Sequence, residues 1–171
     1  CSVLSKVYRS GGNIVLNGLF NVVAYNNAVG DEDGKIVELD AVDYFAPFVN
    51  IGDTKIGRGG DRVEMRSIDS LNITNLSFMK IDVQGSELAV LRGAANTIMR
   101  ERPLIFIGIE EVQCAKFSYS GVEIIKTLLQ MEYALIHIKN DYPVDYLCVP
   151  REKGAENFLH LIDGEFEQIT N

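Results

Sequence analysis

The chain has 171 residues, the length of one domain, and 47% of them are hydrophobic, which is enough for a core. Its formal net charge of −8 argues against a protein that mainly binds nucleic acid. Phosphate contacts need clustered lysine and arginine side chains. The charge suits a small substrate that is neutral or cationic.

Three cysteines, Cys1, Cys114 and Cys148, lie far apart and in no metal-ligand spacing. Scattered cysteines in an odd number indicate free thiols in a reducing compartment, so we expect a cytoplasmic protein. No apolar run is long enough to span a bilayer and no signal peptide is visible, so we expect no membrane partner. Because the first residue is Cys1 and not Met, we expect the chain to belong to a longer polypeptide.

The first third of the chain predicts a helix, a short strand and an arm. Residues 1–19 look helical with a glycine interruption, and the apolar run 22–25 predicts a strand. Segments 34–42 and 61–69 alternate polar and apolar residues with the period of a strand, and we expect them to pair in antiparallel fashion. Between them, the glycine-rich segment 43–60 predicts a lid, a binding loop or a disordered stretch.

The rest of the chain alternates strands and helices. The predicted strands are 76–83, 103–111, 133–140 and 144–150, and the predicted helices are 86–101 and 121–132. This order indicates an α/β fold with a mostly parallel sheet and helices on both faces. The last two strands, joined by a tight proline turn, should close the sheet as an antiparallel hairpin. We therefore predict one domain over residues 1–150 and an acidic C-terminal extension over residues 151–171.

Polar side chains follow three of the predicted strands. They are Asn26 and Asn27 after the first strand, Asp82 and Gln84 after the strand 76–83, and Glu110 and Glu111 after the strand 103–111. Ligands of open parallel sheets bind at the carboxyl ends of the strands. We therefore expect these side chains to line one crevice.

Two carboxylates are the candidate catalytic residues. Asp82 would act as a general base or as an acceptor that orients a ligand, unless it caps the following helix, for which Ser86 is better placed. Glu110 is either a site residue or an ion-pair partner of Lys116 or Arg102. The two carboxylates could together hold a magnesium ion, but no metal-ligand spacing is present, so we predict no metal site.

Three segments resemble the FkbM family of methyltransferases. They are "NIVLNGLFNVVAYNNAVGDEDG" (13–34), "IDSLNITNLSFMKIDVQGSELAVLRGAANTI" (68–98) and "RPLIFIGIEE" (102–111). The second contains the family's best-known stretch, Lys-Ile-Asp-Val-Glu-Gly-x-Glu. Gln84 stands where the family usually has glutamate, which keeps a hydrogen-bonding side chain and removes a charge.

The resemblance implies a Rossmann-like class I methyltransferase sheet, in which a final antiparallel strand is characteristic. It implies S-adenosylmethionine as cofactor and O-methylation of a hydroxyl on a sugar or a similar small alcohol. Asp82 would then be the base with Glu110 beside it, while Asn27, Ala28 and Gln84 would lie near the cofactor.

The family's first strand, its glycine-rich Asp-x-Gly-Ala-Asn-like turn and its second strand have no counterpart in this sequence. The resemblance therefore implies that upstream polypeptide of the same protein supplies these two strands. Two other functions remain open. One is a methyltransferase-like structural or interaction module without cofactor, and the other is an α/β transferase that uses a nucleotide-sugar.

Overall fold

The computed structural model describes residues 11–41, 56–139, 144–161 and 165–169, which form a mixed α/β fold with two sheets. The helices are α1 (11–16), α2 (Glu87–Gly93), α3 (Ala95–Glu101), α4 (Glu111–Lys116) and α5 (Gly121–Gln130). The strands are β1 (Ala28–Val29), β2 (Ile36–Asp40), β3 (Gly59–Arg66), β4 (Phe78–Ile81), β5 (Leu104–Gly108), β6 (Tyr133–Lys139), β7 (Asp145–Pro150) and β8 (Glu165–Ile169). Short 3-10 helices span Asp69–Leu71, Arg151–Lys153 and Ala155–Leu161.

The larger sheet has the strand order β4-β5-β7-β6-β8. β4 and β5 are parallel, and β7 lies between β5 and β6, antiparallel to both. This confirms the predicted strand–helix–strand unit and the closing hairpin within one sheet. Among the strands that the structure describes, only the β4–β5 pair of this sheet is parallel, so the sheet is mixed in this part of the chain.

The last strand, β8, extends the same sheet by pairing with β6 in antiparallel fashion. Ala155 is buried, and Phe158 and Leu159 pack with it against strand residues of β6 and β7. Residues of the predicted C-terminal extension thus contribute to the sheet and to its cover. The domain boundary at residue 150 stays a prediction.

Helices cover the other face of the larger sheet and form the main core with it. The fully buried side chains of this core include Leu91, Ile98, Ile105, Ile107, Ile124, Leu128, Tyr133 and Leu135. Full burial of one such aliphatic side chain contributes about 1.5–3 kcal/mol. The core fixes the helices that follow β4 and β5, and these helices carry part of the candidate site.

The smaller sheet has the order β1-β3-β2 and confirms the predicted arm. β2 and β3 pair in antiparallel fashion, and the alternation of β3 buries Val63 and Met65 while Glu64 stays exposed. The sheet approaches α2 closely at Gly93, where a Cβ atom would lie 1.9 Å from the carbonyl oxygen of Gly30. Glycine therefore allows this contact.

Two expectations for local structure are wrong, at residues 22–25 and in the helix 86–101, and one helix was not anticipated. The predicted strand 22–25 is irregular and exposes Val22, Val23 and Tyr25, because no strand in the described ranges pairs with it. A two-residue strand, β1, follows instead. Residues 112–116 are helical in α4, although they were not predicted to form a helix.

The predicted helix 86–101 is divided into α2 and α3 at Ala94, whose φ of −116° and ψ of 3° are not helical. The carboxylate of Asp69 accepts hydrogen bonds from the backbone N–H groups of Asn96 (3.1 Å) and Thr97 (2.7 Å) and so stabilises a second helix start. Of the predicted loop 43–60, residues 43–55 lie outside the described residues.

Arg102 joins several elements at the end of the sheet where β5 and β6 begin. Its guanidinium donates to the carbonyl oxygens of Met131 (2.7 Å) and Glu132 (3.1 Å) and forms a two-pronged ion pair with Glu152 (2.8 and 2.9 Å). It also lies 4.8 Å from the ring centroid of Tyr133. Hydrogen bonding to Arg102 lowers the pKa of Glu152 to about 2.

This ion pair predicts a pH dependence of stability. The depressed pKa of Glu152 contributes stability above its unfolded value of about 4.3, and this contribution is lost as pH falls towards 2. We expect Glu152→Gln to reduce the slope of unfolding free energy against pH between pH 2 and pH 5, measured by urea unfolding. The effect should be small because Glu152 is half-exposed. An unchanged slope would show that the pair contributes nothing.

Candidate active site

A cavity of about 250 Å³ opens at the carboxyl ends of β4 and β5. The two strands are parallel, so the residues that follow them meet at one edge of the sheet. The antiparallel β7 begins at this edge and adds Asp145. The cavity is lined by Lys80, Asp82, Gln84, Gly85, Glu87, Phe106, Gly108, Glu110, Gln113 and Asp145.

Asp82 follows the last residue of β4 and faces this cavity. Its side chain is 53% exposed, with Oδ2 3.0 Å from Lys80 Nζ and Oδ1 3.4 Å from Gln84 Nε2. Both partners donate hydrogen bonds to the carboxylate. Asp82 thus contacts pocket side chains and not the first N–H groups of α2, as a capping residue would.

The chain turns sharply between Asp82 and α2. Gln84 and Gly85 have φ values of +55° and +105°, in the region that favours glycine. Ser86 precedes α2, but its hydroxyl donates to the carbonyl oxygen of Val83 at 3.2 Å and makes no capping hydrogen bond. The turn brings the Gln84 side chain back over Asp82.

Glu110 follows β5 and also lines the cavity. It is partly buried, and its side chain makes no hydrogen bond or ion pair with any residue in the described ranges, although its backbone carbonyl accepts from the N–H groups of Gln113 and Cys114. Lys116 donates instead to Gln113 (2.8 Å), and Arg102 pairs with Glu152, so neither expected alternative partner binds Glu110. Its neighbour Glu111 accepts a hydrogen bond from the Gly121 N–H at 2.7 Å and helps to fix the start of α5.

Two of the predicted site residues lie elsewhere in the structure. Asn27 donates its side-chain amide to the carbonyl oxygen of Glu64 at 3.2 Å, and Ala28 pairs with Met65 in the smaller sheet. Neither lines the cavity. Their contact with a cofactor stays a prediction, whereas Asp82, Gln84 and Glu110 are brought together.

Seven of the ten lining residues were not predicted as site residues, and three of these, Asp145, Gln113 and Glu87, carry polar side chains with a bearing on the chemistry. Asp145 reaches the cavity because β7 lies beside β5, and Gln113 reaches it because α4 follows β5. No local pattern in the sequence marks either residue. Glu87 lies in the first turn of α2, and its side chain is buried, with only 3% exposed. The one sequence signal for Glu87 was its match to the last glutamate of the Lys-Ile-Asp-Val-Glu-Gly-x-Glu stretch.

Acidic groups dominate the electrostatics of the cavity. Its lining carries four carboxylates, Asp82, Glu87, Glu110 and Asp145, and one ammonium group, Lys80. Such a lining favours cationic or hydroxyl-bearing ligands over anionic ones. Within the described ranges, no three His, Cys, Asp or Glu side chains are arranged to hold a metal ion, and no helix is long and apolar enough to cross a membrane.

Residues 2–135 match the family model of the methyltransferase FkbM domain. The chain belongs to this family. No curated protein and no solved structure matches the chain. The FkbM match includes the elements that form the cavity up to α5, and it identifies the chain as a methyltransferase domain.

The turn after β4 gives a stability prediction for this FkbM domain. A Cβ atom on Gly85 would lie 2.6 Å from the carbonyl oxygen of Gln113, and φ at Gly85 is +105°. We expect Gly85→Ala to destabilise the domain by about 2–4 kcal/mol in urea unfolding, since backbone strain and a clash with α4 add. Gly34→Ala is the control, because Gly34 has φ +78° and open space around it. Equal losses for both variants would mean that the contact with α4 is unimportant.

Proposed function

We propose that this methyltransferase uses S-adenosylmethionine to methylate a hydroxyl group of a sugar or a similar small alcohol. The observation that carries the proposal is the convergence of Asp82, Gln84 and Glu110 on one cavity at the carboxyl ends of two parallel strands. A base, an amide and a second carboxylate are the groups that a hydroxyl acceptor needs around it.

The negative charge of the cavity lining suits this cofactor. When bound, S-adenosylmethionine supplies a methyl group on a cationic sulfonium, and carboxylates around a cavity favour a cation. The volume of about 250 Å³ is below the about 300–1,000 Å³ of pockets for drug-sized ligands. It therefore suits an acceptor group or one end of the cofactor, with Gln84 as the candidate cofactor contact.

Asp82 is the proposed general base. It is exposed to the cavity, and an acceptor hydroxyl within hydrogen-bond reach would transfer its proton to one carboxylate oxygen. Lys80 and Gln84 hold that carboxylate in place and restrict its orientation. The Glu110 side chain makes no hydrogen bond or ion pair in the described ranges, so it is available to accept a hydrogen bond from a second acceptor hydroxyl or to act as an alternative base.

The residues that line the cavity indicate which class of methyl acceptor it suits. Neutral hydroxyl groups can donate to carboxylates and accept from the amides of Gln84 and Gln113, whereas phosphate groups would meet four carboxylates. This argues for a neutral sugar-like alcohol and against a nucleotide-sugar donor at this cavity.

Substitution of the base tests the mechanism. Asp82→Asn keeps size and hydrogen bonding but removes the basic carboxylate, so turnover should fall by about a hundredfold or more. The thermal midpoint should hardly change because the side chain is half-exposed. Asp31→Asn, at an exposed aspartate outside the cavity, is the control. Full activity of Asp82→Asn with normal stability would remove Asp82 from the mechanism and leave Glu110 to be tested as Glu110→Gln.

Ligand binding distinguishes the three functions. Calorimetry on the full-length polypeptide, including the upstream residues, should detect binding of S-adenosylmethionine and none of a nucleotide-sugar. Binding of only the nucleotide-sugar would favour the other transferase, and binding of neither would favour a structural or interaction module.

We also propose that upstream polypeptide of the same protein completes the cofactor site. β4 lies at the edge of the larger sheet in the described part, so its outer side offers backbone groups for a further strand. We expect a polypeptide with the upstream residues to bind S-adenosylmethionine more tightly than residues 1–171 alone. Equal dissociation constants in calorimetry would contradict this.

We propose a cytoplasmic location because two cysteines in the described ranges are free thiols. Cys114 and Cys148 are both free and buried, and burial raises the pKa of each. Free unreactive thiols are usual in a reducing compartment.

A further inference from the structure

The turn that places Gln84 over Asp82 has an unfavourable backbone conformation. Gln84 has a Cβ atom and still has φ +55°, and Gly85 follows with φ +105°. A residue other than glycine in the left-handed region is uncommon and persists only where its surroundings hold it. The contacts around this turn must therefore supply the missing stability.

Glu87 contacts the turn from within the protein. Its side chain is 3% exposed, and Oε1 accepts hydrogen bonds from the N–H groups of Gly85 (3.0 Å) and Val83 (3.4 Å). No lysine or arginine in the described ranges forms an ion pair with it. A buried carboxylate without a cationic partner is retained where its hydrogen bonds matter, and these hydrogen bonds go to the turn.

Tyr119 contacts the same turn from the segment between α4 and α5. Its hydroxyl lies 2.5 Å from the carbonyl oxygen of Gly85, to which it donates, and 3.3 Å from Glu87 Oε2. Burial and the nearby Glu87 raise the pKa of Tyr119, so the hydroxyl keeps its proton and remains a donor. Gly85 thus has its N–H bound by Glu87 and its C=O bound by Tyr119.

We propose that Glu87 and Tyr119 act as a pair of positioning residues, which hold the Gln84–Gly85 turn so that the Gln84 amide and the Asp82 carboxylate face the cavity together. The inference rests on the proposed function for what the turn positions, and on geometry alone for how it is held. Tyr119 does not line the cavity, and Glu87, although it is one of the lining residues, is only 3% exposed and has its Oε1 engaged by the turn. They therefore act through Gln84 and Asp82.

The test compares two tyrosines that make the same type of hydrogen bond. Tyr119→Phe removes the hydroxyl that binds Gly85, and Tyr133→Phe removes a buried hydroxyl that donates to the carbonyl oxygen of Pro103 at 2.9 Å, next to the start of β5. Both variants lose one hydrogen bond from a hydroxyl to a carbonyl, so general destabilisation should be similar. Glu87→Gln is the third variant and keeps the side-chain volume.

Three measurements are made on the whole chain. Nuclear magnetic resonance follows the exchange rate of the Gly85 amide and the side-chain amide signals of Gln84, calorimetry gives the affinity for S-adenosylhomocysteine, and thermal unfolding gives the midpoint. The first of these needs neither activity nor a known acceptor.

We expect Tyr119→Phe, which loses a hydrogen bond, and Glu87→Gln, which replaces a charge-assisted hydrogen bond by a weaker neutral one, to speed exchange at Gly85 by about fivefold or more. They should also shift the Gln84 side-chain signals and weaken binding of S-adenosylhomocysteine, while Tyr133→Phe changes only the midpoint. If Glu87→Gln does not fold, Tyr119→Phe decides.

The proposal is overturned if Tyr119→Phe lowers the midpoint and leaves both signals of the turn unchanged. It is also overturned if Tyr133→Phe alters them as much. Should the wild-type chain bind no S-adenosylhomocysteine, the proposed function is weakened, and the comparison of Gly85 exchange still decides whether Glu87 and Tyr119 hold the turn.

Discussion

Ile81 of β4 lies opposite Ile107 of β5, and this register of the parallel pair decides which polar residues can meet. Both isoleucines are buried in the main core, so a shift of one residue would turn apolar side chains outwards. With the register fixed, Asp82 and Glu110 leave the sheet at neighbouring points. The cavity between them follows from a packing constraint in the core.

The antiparallel β7 completes this edge in a way that a parallel strand could not. Because it runs opposite to β5, its first residue, Asp145, lies opposite Gly108 near the last residues of β5. Gly108 lines the cavity there, and a Cβ atom on it would make an ordinary contact of 3.4 Å with Asp145 Oδ1. The same hairpin that closes the sheet thus contributes an acid to the site.

The side chains that face the cavity and the side chains behind the turn have separate tasks. Asp82 and Gln84 are accessible and are available to ligands, while Glu87 and Tyr119 are largely withdrawn from solvent and bind backbone groups. Such support by hydrogen bonds to the backbone keeps candidate catalytic groups in place without changing their own chemistry. It also explains how a strained turn persists beside an open cavity.

Sequence patterns were reliable where one period extended over a whole element. The alternation of β3, the apolar stripe of α2 and α3 and the β6–β7 hairpin were predicted from such patterns. They failed at residues 22–25, where an apolar run has no partner strand in the described ranges, and at Ala94, where Asp69 stabilises a new helix start from a distant position. Both failures depend on contacts far away along the chain.

By itself, the sequence determined the strand–helix–strand unit around β4 and β5, the β6–β7 hairpin, the position of Asp82, Gln84 and Glu110 at strand ends, and the family resemblance that the match over residues 2–135 confirms. Local periodicity and short motifs carry this information because neighbouring residues share one backbone geometry. Only the tertiary structure decided that Asn27 and Ala28 lie in another sheet, that Asp145 joins the cavity, and that Glu87 is buried against Tyr119. These facts depend on strand pairing and on a contact across 32 residues, which no local pattern encodes.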